Sequence, residues 1–115
     1  MGNNVHRIEE KQKVEDLEKD KKRFQVEYKE QVNLLLEKFN KTKKKRLAQS
    51  LKNVEDYCGG NVNHLPMEAE IIMFENKRVW KIIYNVPRYY GLGHGVMLLY
   101  VDFNTGKVIK LITCK

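Results

Sequence analysis

The cysteine and histidine side chains, Cys58, Cys114, His6, His64 and His94, are the first candidates for nucleophile, base or metal ligand. Their spacing suits none of these tasks. Zinc sites draw on pairs such as Cys-x2-Cys or His-x3-His, which put two ligands on one turn or one helix face, and neither these nor His-Glu-x2-His occurs. Cys58 or Cys114 with His94 as base would make an activated thiol. A penultimate cysteine at the end of a last strand is a poor platform for it. With no paired carboxylates or catalytic triad at workable spacing either, the expectation is a protein that is not an enzyme and carries neither metal nor cofactor.

Gly91, Gly93 and Gly95 recur at every second position, but a dinucleotide fingerprint needs a helix opening directly behind its glycines to hold the phosphate. Here the flanking segments read as strands. Arg88, Tyr89, Tyr90 and His94 on this connection form a candidate partner-binding tip, because Tyr and Arg are enriched at interface hot spots. Capping of the sheet end by the two tyrosines is the plainer alternative. The second candidate is the run Lys41-Thr42-Lys43-Lys44-Lys45-Arg46. Lys43, Lys44, Lys45 and Arg46 could meet phosphate or an acidic protein, or form a solvated helix entry. Acidic residues would have suited a first helical turn better. Readers of nucleic acid that use a sheet interleave basic residues with exposed aromatics. Only Phe74 and Phe103 are placed for that on the second sheet face, which argues against nucleic acid.

The elements that position these residues follow from periodicity. Between Glu9 and Arg23, 12 of 15 residues are charged, leaving Val14 and Leu17 as the only apolar side chains. Such a stretch is helix-prone but buries almost nothing, and it offers a possible route to a homo-oligomer. Phe24, Tyr28, Val32, Leu35 and Phe39 then mark an amphipathic helix. Leu47, Leu51, Val54 and Cys58 form a second stripe, rotated by about 110° from the first, which requires a break near Asn40 to Thr42. Gly59 and Gly60 end the second helix. Beyond residue 61 the period becomes that of strands. Met67, Ala69, Ile71 and Met73 alternate with acids, Trp80, Ile82, Tyr84 and Val86 with polar residues, and Val96 to Phe103 reads as a central strand before a last one at Val108 to Ile112. Asn76-Lys77-Arg78 is expected to join the first pair, and Asn104-Thr105-Gly106 the last, with a positive φ at Gly106.

The resulting expectation is α+β, with N-terminal helices packed on a four-stranded antiparallel meander. Residues 1–40 read as a charged helical extension and residues 41–115 as the helix-plus-sheet domain. The 115 residues exclude a multi-domain enzyme. The net charge of +7 is spread over both halves, +4 in residues 1–60 and +3 beyond, which suits an anionic partner without locating it. With neither an apolar membrane span nor a signal-peptide core, the chain reads as cytoplasmic as written, or as periplasmic or exported if a leader has been removed. In an oxidising compartment Cys58 and Cys114 could form one disulfide, and otherwise stay free thiols.

From Arg46 to Lys115 the chain resembles bacterial immunity proteins of the nuclear-transport-factor-2-like, or cystatin-like, class. The residues that carry the likeness are Leu47-Ala48 through Tyr57 closed by Gly59 or Gly60, Leu65-Pro66 before the first strand, Val79-Trp80 through Val86-Pro87, the glycines Gly93 and Gly95, and the hairpin Val101 to Ile109. The resemblance implies a cystatin-like fold and a protein that binds and neutralises a cognate bacterial toxin or effector. The closing Thr105-Gly106-Lys107-Val108 hairpin also looks like inhibitory PepSY domains. A basic binder of nucleic acid or anionic surfaces is the remaining alternative.

Overall fold

The computed structural model describes the backbone of residues 2–60, 63–86 and 95–114, with side chains from Lys19 onward in those segments, Cys114 excepted. Helix α1 spans Gly2–Leu36 and α2 spans Lys41–Tyr57. Strands β1 (Leu65–Phe74), β2 (Lys77–Asn85), β3 (Val96–Asp102) and β4 (Val108–Cys114) follow. They form one antiparallel sheet in the order β1-β2-β3-β4 with the helices on one face, the α+β meander expected from the sequence. No helix among the described residues is long and apolar enough to cross a membrane.

The break between the helices is a capping event. Asn40 adopts an extended conformation, and its side-chain Oδ1 accepts from the Lys43 amide at 3.0 Å, so a donor that helix geometry would orphan is satisfied. The turn reorients the chain, and both apolar stripes reach one core. Leu35 and Leu36 of α1 are buried there with Leu47, Leu51 and Val54 of α2, while Val32 and Phe39 pack against the same cluster. These α1 residues lie on the extension side of a 40/41 division, yet they share the domain's core. The rest of α1 projects. At 1.5 Å per residue the 35-residue helix is about 52 Å long, and the radius of gyration is 17.7 Å where a compact chain of this size has about 13 Å. Helix α2 ends in a Schellman motif. The Gly60 amide donates to Glu55 O at 2.9 Å and the Gly59 amide to Asp56 O at 3.1 Å, with φ of 68° at Gly59 that an L side chain rarely adopts.

Trp80 is the centre of the core. It is 0% exposed, edge-on to Phe39 with ring centroids 5.2 Å apart and tilted against Phe103 at 5.6 Å. Ile82 and Tyr84 of β2 and Leu99 and Val101 of β3 extend the same face. Met73, expected on this face from alternation, is 66% exposed.

Two sequence expectations are corrected. The β1–β2 connection is a two-residue loop, Glu75-Asn76, with φ of 49° and 63°, while Lys77 and Arg78 belong to β2. Positive φ at both central positions is the primed turn whose twist matches that of the strands it joins. Phe103 does not lie on the second face. It continues the parity of Leu99 and Val101, the helix-facing side chains of β3, and is buried against Trp80 on the helix side. Tyr100 takes its place on the second face, 5.0 Å from Phe74.

Candidate partner-binding surface

The basic run opens α2. Lys41, Lys43, Lys44 and Lys45 are exposed around the first turn, which contains no acidic residue, so cations crowd the positive end of the helix dipole. Arg46 differs from them. It is half-buried, and its Nη1 donates to the carbonyl of Phe103 at 3.0 Å and to that of Asn104 at 3.5 Å, with the guanidinium 4.9 Å from the Phe103 ring centroid. Arg78, from β2, stands 4.6 Å from the same ring. Phe103 thereby gathers two arginines that are far apart in the chain, and joins the lysine run to the hairpin end of the sheet where Lys77 also lies. A shallow depression of about 440 Å³ lined by Lys41, Thr42, Lys45 and Arg46 opens beside it. Periodicity marks the run; it cannot show that Arg78 and Phe103 join it, because that meeting depends on the turn after β3.

The turn itself is fixed by Asp102, whose Oδ1 accepts from the amides of Asn104 at 2.8 Å and Thr105 at 2.9 Å. These bonds, that from Thr105 foremost, hold its carboxyl below the usual range. Gly106 has φ of 74°, and its carbonyl accepts from Asn53 Nδ2 of α2 at 2.7 Å. The helix and the hairpin are thus tied at the basic end by Arg46 and by Asn53.

The other predicted tip, Arg88, Tyr89, Tyr90 and His94, lies outside the described residues. Its base is described: the Val86 amide donates to Gly95 O at 3.3 Å, at the sheet end opposite to the basic run. A side chain at Gly95 would meet Val86 Cγ2 at 3.2 Å.

Among the described residues, the side chains that could do chemistry are not assembled for it, and the side chains of His6, His94 and Cys114 lie outside them. His64 Nδ1 is 2.6 Å from Asn63 Oδ1, and burial lowers the affinity of its ring for a proton. Burial pushes the free Cys58 thiol up, away from the thiolate a nucleophile needs. Among the described residues no three of His, Cys, Asp and Glu converge as metal ligands. Near Cys58, the hydroxyls of Tyr28 and Tyr84 are buried, that of Tyr84 without a hydrogen-bond partner; desolvation first, then Tyr84 and Glu55 for Tyr28 and Cys58 and Glu55 for Tyr84, drives both far above the ordinary tyrosine range. Tyr28 lines a groove of about 450 Å³ between α1 and α2, together with Val32, Asn33, Leu51, Lys52 and Glu55 among others.

No protein-family model, curated protein or solved structure matches this chain.

Proposed function

We propose that this protein is a non-enzymatic binding protein whose basic end holds an acidic surface of a protein partner. The observation that carries the reading is the Arg46–Phe103–Arg78 stack, which joins the exposed lysines of α2 to the hairpin end of the sheet as one cationic surface. A helix start crowded with cations and without a compensating acid is electrostatically unfavourable in the free protein and is relieved when an acidic partner covers it. The likeness of residues 46–115 to immunity proteins supplies the partner class, a cognate bacterial toxin or effector that is neutralised by being covered. Arg88, Tyr89, Tyr90 and His94 are a second contact candidate, on the connection that follows β2, a strand of about 30 Å that starts at the basic end.

The test is co-expression with the product of the gene adjacent to its own. Growth rescue by the wild type, lost in Lys43→Glu/Lys44→Glu/Lys45→Glu with an unchanged circular dichroism spectrum, is the expected result. Rescue that survives the triple variant but fails in Arg88→Ala/Tyr89→Ala/Tyr90→Ala would move the site to the other end. Affinity for a short DNA duplex that falls steeply with salt, with no rescue by any form, would favour the phosphate-binding alternative.

A further inference from the structure

The sheet face turned away from the helices carries apolar side chains on all four strands, interspersed with charges that differ in sign between its two edges. Its register rows are Glu68–Ile83–Leu98–Ile112, Glu70–Lys81–Tyr100–Lys110 and Ile72–Val79–Asp102, with Phe74 opposite Lys77. Ile72, Phe74, Ile83, Leu98, Tyr100 and Ile112 are partly exposed, and no described element covers them. The edges differ in sign. Strand β1 contributes Glu68 and Glu70, both exposed, and β4 contributes the exposed Lys110, which stands in the same register row as Glu70. Lys110 leans over the face, its Nζ 5.9 Å from the Phe74 ring centroid, and Glu70 reaches Lys81 at 3.7 Å.

We infer that this face binds a second copy of the chain, sheet against sheet, about a two-fold axis parallel to the strands. Such an axis leaves the position along the strands unchanged and exchanges left for right. It lays β1 of one copy across β4 of the other, so Glu70 falls opposite Lys110 of the second copy, twice per dimer. A two-fold across the strands would instead set acid on acid. Aligned sheets cross at about 30°, which shifts edge residues by only a few ångströms, within the reach of a lysine. Ile83 of each copy then closes over Leu98 of the other, and Tyr100 over Lys81. An acid-edged and base-edged face that is complementary to itself selects a second copy over a partner of one charge sign. The basic end of α2 lies off this face, so the dimer leaves the proposed partner site free on both copies.

Sedimentation equilibrium of the full-length chain tests this, over about 10 to 500 µM. The wild type is expected to shift from 13.7 kDa to twice that mass. Glu70→Lys and Lys110→Glu each turn two attractive pairs into two repulsive ones and should weaken self-association by about 30-fold. In an equimolar mixture of the two variants, the mixed dimer sets the two lysines of the Glu70→Lys chain against the two glutamates of the Lys110→Glu chain, one attractive pair at each edge, so mixing should restore association. The double variant Glu70→Lys/Lys110→Glu swaps the two edges within one chain and recreates both attractive pairs with reversed sign, so it should associate as well as the wild type. Both positions are exposed, so folding is not at risk, and circular dichroism confirms it. A wild type that stays monomeric throughout overturns the inference. So does a double variant that fails to associate, or a dimer that is instead abolished by Val14→Lys/Leu17→Lys in α1.

Discussion

Gly106→Ala perturbs the joint between α2 and the β3–β4 hairpin in two ways at once. Residue 106 has φ of 74°, a region that costs an alanine about 1 to 2 kcal/mol. The added Cβ would stand 2.7 Å from Asn53 Nδ2, the atom that donates to the Gly106 carbonyl, also at 2.7 Å. Something must shift, and the hydrogen bond is the weakest element in the way. Its loss adds about 1 kcal/mol. The sum, about 2 to 3 kcal/mol, is a large share of the roughly 5 to 15 kcal/mol typical of a domain. Urea unfolding followed by tryptophan fluorescence measures it. Asn53→Ala alone should lose about 1 kcal/mol, and the double variant should be little worse than Gly106→Ala, because both remove the same bond. A Gly106→Ala protein within about 0.5 kcal/mol of wild type, or strict additivity with Asn53→Ala, would refute the reasoning.

Three further outcomes follow from the same geometry. Trp80→Ala should lose about 3 to 5 kcal/mol, and native Trp80 should emit at short wavelength and resist quenching, since its ring is fully buried between Phe39 and Phe103. Glu75→Asn should stabilise by about 1 kcal/mol in thermal or urea unfolding, because Asn adopts the left-handed conformation of this turn position more readily. Tyr28 and Tyr84 are raised in the folded state from an ordinary value of 10.0, so their protonated forms support the fold fully below pH 10. Above it the unfolded chain ionises first and stability falls. Absorbance at about 295 nm should show two tyrosines ionising only as the protein unfolds, and Tyr84→Phe should leave one.

The long-period features are legible in the sequence. The rotation between the Phe24–Phe39 and Leu47–Cys58 stripes locates the interhelical break because a helix cannot turn one face toward two directions. Gly59 and Gly106 mark ends because few other residues reach positive φ. What is not legible depends on one-residue shifts and on tertiary meetings. Glu75-Asn76 carries no glycine, so turn chemistry alone displaces the primed turn onto Asn76-Lys77-Arg78. The run Val96 to Phe103 is apolar on both faces, so its composition alone does not tell which parity turns inward; Leu99, Val101 and Phe103 do, and Tyr100 faces out. Adjacency groups Arg46 with three lysines, although its guanidinium is held by Phe103 and Asn104, a contact that no local pattern encodes.

Calorimetric titration of the purified protein with the purified product of the adjacent gene tests the basic binding end most directly. The expected result is a one-to-one complex whose affinity falls at least about 100-fold in Lys43→Glu/Lys44→Glu/Lys45→Glu, with the fold intact by circular dichroism. Unchanged affinity in that variant would contradict it.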